Sequence, residues 1–112
     1  MKPMREQTYL VLLALAAGPL HGYAVITEVD RLSDGAVRLG PGTLYGALDR
    51  LAGDGLVSVA KEEVVDGRHR RYYQLTDSGR QDVVAETQRR AELARQASRV
   101  LDLRPPVVVV LP

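Results

Sequence analysis

Leu10, Leu13, Ala14 and Ala17 fall on one helical face, with Leu12 and Leu15 covering another. That spacing predicts a helix over Gln7–Ala17, apolar on most sides and therefore buried on most sides. Gly18-Pro19 stops it. Gly22, Val25, Ile26, Val29 and Leu32 then recur three and four apart, predicting a second helix over His21–Leu32 that ends at Ser33-Asp34-Gly35. Val37–Leu39 fits a very short strand. Gly40-Pro41-Gly42 reads as a loop and Thr43 as a helix start. Leu44, Leu48 and Leu51 form the buried stripe of a third helix, with Gly55 where a left-handed cap belongs.

The period changes after Leu56. Leu56–Val64 alternates weakly, Val65-Asp66-Gly67-Arg68 carries the Asp-Gly hairpin signal, and His69–Leu75 returns as a second strand. Leu75 marks the inner face, which places Tyr73 in the core, Tyr72 outside and Arg71 inward. Thr76-Asp77-Ser78 starts a long helix that Arg104-Pro105-Pro106 ends. The elements predict a mainly α fold with a small β-hairpin: a winged helix-turn-helix domain over residues 5–76 and a C-terminal dimerisation helix over 77–103. Residues 104–112 are expected to form a flexible tail. In such a fold the third helix reads DNA.

Composition narrows the chemistry. The 112 residues suffice for one domain and include no Phe or Trp, so Leu, Val, Ala and Ile must build most of the core. Without cysteine there is no disulfide, thiolate catalysis or thiol switch. Leu10–Ala17 is too short to span a membrane, and the expectation is a cytoplasmic protein. Two histidines, His21 and His69, stand without an acid pair, a nucleophile motif or a P-loop, which argues against an enzyme, a metal site or a cofactor. The net charge is +1, but Arg68, Arg70 and Arg71 crowd around His69 near the hairpin tip.

These residues match a family pattern. Leu20-His21-Gly22-Tyr23, Pro41-Gly42-Thr43-Leu44-Tyr45, then Leu48, Leu51, Gly55, Leu56 and Val57, then Arg68 to Tyr73 and Leu75-Thr76 with Gly79, resemble the PadR-like transcriptional regulators. The resemblance covers roughly Thr8 to Gly79. It implies a homodimer on double-stranded operator DNA, usually a repressor and often released by a small-molecule effector. The single helix after the hairpin is similar to the shorter branch of the family. Gly46 stands where many members carry proline, and without tryptophan no drug-stacking pocket carries over.

Candidate DNA-binding residues are Thr43, Tyr45 and Arg50 on the third helix and Arg68, His69 and Arg70 on the wing. Arginine suits the wing because its planar fork pairs phosphate oxygens bidentately. The alternative is a cluster neutralised by Glu62, Glu63 and Asp66 across the hairpin. His21 is expected to be satisfied or solvated, and Tyr23 to lie in the core. Candidate dimerisation residues are Leu93, Ala97, Val100 and Leu101 on the last helix, with Leu10 and Leu13 of the apolar first helix. Arg90, Thr87 and Glu86 interrupt that seam with charge in its near half. A winged helix can instead serve as a protein-interaction module without DNA, since fold does not fix function.

Overall fold

The computed structural model describes residues 2–103, and the expected tail over 104–112 lies outside them. The elements are α1 (Glu6–Ala14), β1 (Leu20–His21), α2 (Gly22–Leu32), α3 (Pro41–Gly53), β2 (Val57–Val65), β3 (Arg68–Leu75) and α4 (Asp77–Val100). α1 runs through the centre: Leu10, Val11, Leu12, Ala14 and Leu15 are buried against Val25, Val29, Leu44, Leu48 and Leu51 of α2 and α3.

The short strand lies elsewhere than expected. Val37–Leu39 is irregular, and Leu20–His21 pairs instead with Tyr73 and Tyr72, giving the antiparallel order β1-β3-β2. A two-residue strand exists only where a neighbour offers an open edge. β3 offers one to residues 20–21, while Leu39 serves as a buried apolar plug. α3 also starts before Thr43. Gly40 is its N-cap and Pro41 takes the first turn, where a missing N–H costs nothing. Its far end closes as a Schellman motif: Leu56 N–H donates to Leu51 O and Gly55 N–H to Ala52 O.

The hairpin is as read from Asp66-Gly67. Both residues have positive φ (52° and 76°), the signature of a two-residue type I′ turn. Thr76 then joins hairpin, α3 and α4. Its hydroxyl donates to Gly55 O at 2.6 Å and accepts from Gly79 N–H at 3.0 Å. Gly79 lies so close to the Leu56 carbonyl that a Cβ would overlap it, which explains glycine in the first turn of α4.

The charge that interrupts the α4 seam is what docks its near half. Glu86 is fully buried and accepts from Met4 N–H (3.2 Å), from Arg89 (2.7 Å) and from Arg90 (2.7 Å). Arg90 also donates to Met4 O and lies over the Tyr9 ring, whose hydroxyl shares a hydrogen bond with Thr87. The leader before α1 is thereby strapped to α4.

Arg89 above all, with Met4 N–H and Arg90, holds the Glu86 carboxyl down to about 2 against the opposing effect of desolvation. A carboxylate whose folded pKa is depressed stabilises the fold above its ordinary value near 4.5, and that contribution fades as pH falls toward about 2. Glu86→Gln is therefore expected to lower the melting temperature by roughly 5 °C or more at pH 7. It should also flatten the dependence of stability on pH across the acidic window. Thermal melts from pH 7 to pH 2 check both, and a variant curve parallel to wild type over that window would refute the role given to Glu86.

Candidate nucleic-acid interface

α3 presents a core face, a bare outer ridge and two flanks. Leu44, Leu48 and Leu51 face the core. On the opposite side Gly42, Gly46, Asp49 and Gly53 recur three and four apart and are all exposed. A Cβ at any of the three glycines would meet nothing within 4 Å, so this side is a bare ridge from which only Asp49 projects.

One flank of the ridge carries Tyr45. Its phenol lies directly over Gly22 at the start of α2, where any side chain would overlap it. The ring is thus positioned by a glycine and remains partly exposed. Tyr45 closes a hollow of about 100 Å³ against His21, Tyr23, Arg68, His69, Arg70 and Arg71. This flank gathers four of the six expected DNA-binding residues, drawn from α3 and the wing.

Tyr23 is a correction. It was expected in the core and is 63% exposed. The buried stripe of α2 is Gly22, Val25 and Val29, and residue 23 falls outside that spacing. His21 is satisfied: its Nδ1 accepts from Ala24 N–H as the cap of α2, and its ring meets Tyr72 edge-on. Burial, then the nearby Arg70 charge, pushes its pKa down, against a smaller pull from Glu63. A neutral ring suits an Nδ1 acceptor.

The basic residues of the wing divide. Arg71 lies outward rather than inward, paired with Glu62 at 2.9 Å, because the hairpin tip extends beyond the core that would have received it. His69 also reaches Glu62, at 3.3 Å. Glu63 is engaged by the Tyr72 hydroxyl (2.6 Å) and by Lys61 (3.8 Å), and chiefly that hydroxyl lowers its pKa. Among the described residues Arg68 and Arg70 have no ion-pair partner. Ion pairing across the hairpin therefore takes up Arg71, brings His69 to the same carboxylate, and leaves Arg68 and Arg70 without an ion pair, although Glu63 stands opposite Arg70 in the ladder and feels its charge.

Thr43 and Arg50 stand on the other flank of the ridge, facing the start of α1. Sequence reasoning missed their neighbours Arg5 and Thr8, which lie more than thirty positions away and carry no periodic or turn signal. Of the expected dimerisation residues, Leu10 is buried in the core of this chain and Leu13 is half-buried. Leu93 and Val100 are 59% and 84% exposed, with Leu101 and Ala97 exposed beside them. Among the described residues there is no metal-ligating cluster and no helix long and apolar enough to cross a membrane.

The model of the transcriptional regulator PadR-like family matches residues 11–85. The transcriptional regulator Rv3488 of Mycobacterium tuberculosis is 41% identical over 81 residues, covering 72% of this chain and 72% of that protein. An uncharacterized 37.1 kDa protein in transposon TN4556 of Streptomyces fradiae is 44% identical over 93 residues. That match covers 83% of this chain and 24% of the relative, so the chain spans about a quarter of its length. A PadR-like transcriptional regulator from Bacillus cereus superposes with a TM-score of 0.71 at 19% identity, over 88% of this chain and 93% of that one. Bacillus subtilis PadR in complex with operator DNA superposes with a TM-score of 0.63 at 19% identity, over 96% and 53%.

Proposed function

This chain belongs to the PadR-like family of transcriptional regulators, which are not enzymes, and on that basis we propose that it binds operator DNA in the cytoplasm as a homodimer and acts there as a ligand-responsive repressor. The observation that carries the DNA reading is the bare ridge of α3 with Arg68 and Arg70 beside it, neither of them in an ion pair among the described residues. A helix whose outward residues are short can sink into the major groove, and arginines at its edge then meet phosphates. The likeness in fold to the Bacillus subtilis protein, itself seen with operator DNA, supports this reading.

Tyr45, Arg68, His69 and Arg70 form the wing-side contact, and Thr43 and Arg50 the contact on the far flank. Leu93, Ala97, Val100 and Leu101 are the seam between subunits, with Leu13 at its margin. Two-fold symmetry sets the two α3 helices about one DNA turn apart, roughly 34–36 Å, and the operator is an inverted repeat. A small molecule that favours another angle between subunits shifts that spacing and releases DNA.

Selection of bound duplexes from a random pool tests the proposal. Enrichment of a palindrome with half-sites one turn apart is the expected result. A pool that stays random, with no retained duplex at low salt, would overturn DNA binding and favour a protein-interaction module.

A further inference from the structure

We propose that the hollow between the start of α1 and the Thr43–Arg50 flank of α3 seats a backbone phosphate on the DNA strand opposite the one held by the wing. The inference rests on the DNA reading above and adds a second contact surface to it. The hollow has a volume of about 130 Å³ and is walled by Arg5, Gln7, Thr8, Thr43 and Arg50 over a floor that includes Leu39. Its lining contains no carboxylate. Among the described residues neither arginine has an ion-pair partner, although Asp49 and Asp54 lie within four positions of Arg50. Two open guanidinium forks and two hydroxyls around one concavity are the donor set of a phosphate site.

Placement argues the same way. A helix lying in a groove has one phosphate backbone on each side. The ridge Gly42, Gly46, Asp49, Gly53 points between two flanks: Tyr45 with Arg68 and Arg70 on one, and Arg5 with Arg50 on the other. Arg50 accordingly anchors the backbone and does not read a base.

Arg5 is also held in position. The residue before it is tied on both sides, Met4 N–H to Glu86 and Met4 O to Arg90. The strap that docks α4 therefore sets Arg5 beside α3, and a contact arranged in advance avoids the ordering cost that a free leader would incur. An adjoining hollow shares Arg5, Thr8 and Arg50 but includes Asp54 and Asp82, which disfavours an anion there.

The test is Arg5→Ala, measured by fluorescence anisotropy on a selected duplex and on a random duplex over a range of salt. Arg5 makes no side-chain cap bond to α1, so the variant removes no helix cap. The slope of log K against log salt should flatten by about 0.9, the value of one lost phosphate contact. Affinity at 0.1 M salt should fall roughly tenfold on both duplexes alike. Arg50→Ala should behave the same way and leave base preference unchanged. An unchanged slope, or a loss confined to the selected duplex, would overturn the inference. So would inorganic phosphate protecting wild type against heat, at fixed ionic strength, while Arg5→Ala leaves DNA binding intact, since the hollow would then hold a free anion. If Arg68→Ala/Arg70→Ala flattens the slope and Arg5→Ala does not, DNA binding stands and only the second seat falls. If wild type binds no DNA, both fall.

Discussion

Leu93→Asp is expected to convert the proposed dimer into folded monomers and to reduce operator affinity by at least 100-fold. The reasoning begins with α4, whose 24 residues make a rod of about 36 Å. Its near half is docked through Val83 and the Glu86–Arg89–Arg90 cluster. Beyond Arg90 the helix leaves its own domain, and Leu93, Val100 and Leu101 face outward. Fully burying a leucine side chain is worth about 1.5–3 kcal/mol, so a seam built on these positions gains most of its energy from them. A charge at Leu93 removes one such contribution and adds the cost of an unpaired carboxylate in an apolar interface. Because Leu93 lies beyond the docked half of α4 and is mostly exposed, the variant should keep the wild-type circular dichroism. Two linked half-sites bind more tightly than one by a factor of 10²–10⁴, and that factor disappears when the subunits separate. Sedimentation should show half the wild-type mass. Unchanged sedimentation would remove this helix from the interface.

The second large effect is expected from Arg68→Ala/Arg70→Ala. Neither guanidinium group has an ion-pair partner among the described residues, and both lie on the strand that follows a tight turn, beside Tyr45. Charge-assisted hydrogen bonds contribute about 1.5–3 kcal/mol each, so losing both should weaken binding on the order of 100-fold. The salt slope should flatten by about two, on operator and random DNA alike, because phosphates carry no sequence. Arg71→Ala is the internal control. Its side chain already pairs with Glu62, and its removal should change the slope by much less. Equal effects from Arg71 and from the open pair would mean that the wing acts by bulk charge rather than by directed contacts.

The two flanks of α3 differ in how visible they were before folding. Arg68, His69 and Arg70 are consecutive, next to an Asp-Gly turn, and Tyr45 sits in a helix whose apolar stripe is unmistakable. Arg5 and Thr8 are ordinary residues at the start of another helix. Nothing near them in sequence indicates that α3 will pass alongside. Glu86 is the sharper case. In sequence it is a charge that spoils a seam, and in the fold it is the buried anchor of that same helix.

Periodicity, turn chemistry and capping depend on neighbours within a few positions, and they sufficed for the helices, the type I′ hairpin, the cap at Gly55 and the core residues Leu44, Leu48, Leu51 and Tyr73. The site of β1, the outward turn of Tyr23, the seating of Tyr45 on Gly22 and the strap from Met4 to Glu86 were decided only by the tertiary structure. Each is a meeting of segments far apart in the chain, where an open strand edge, a missing side chain or a buried charge takes its meaning from a partner that local sequence does not name.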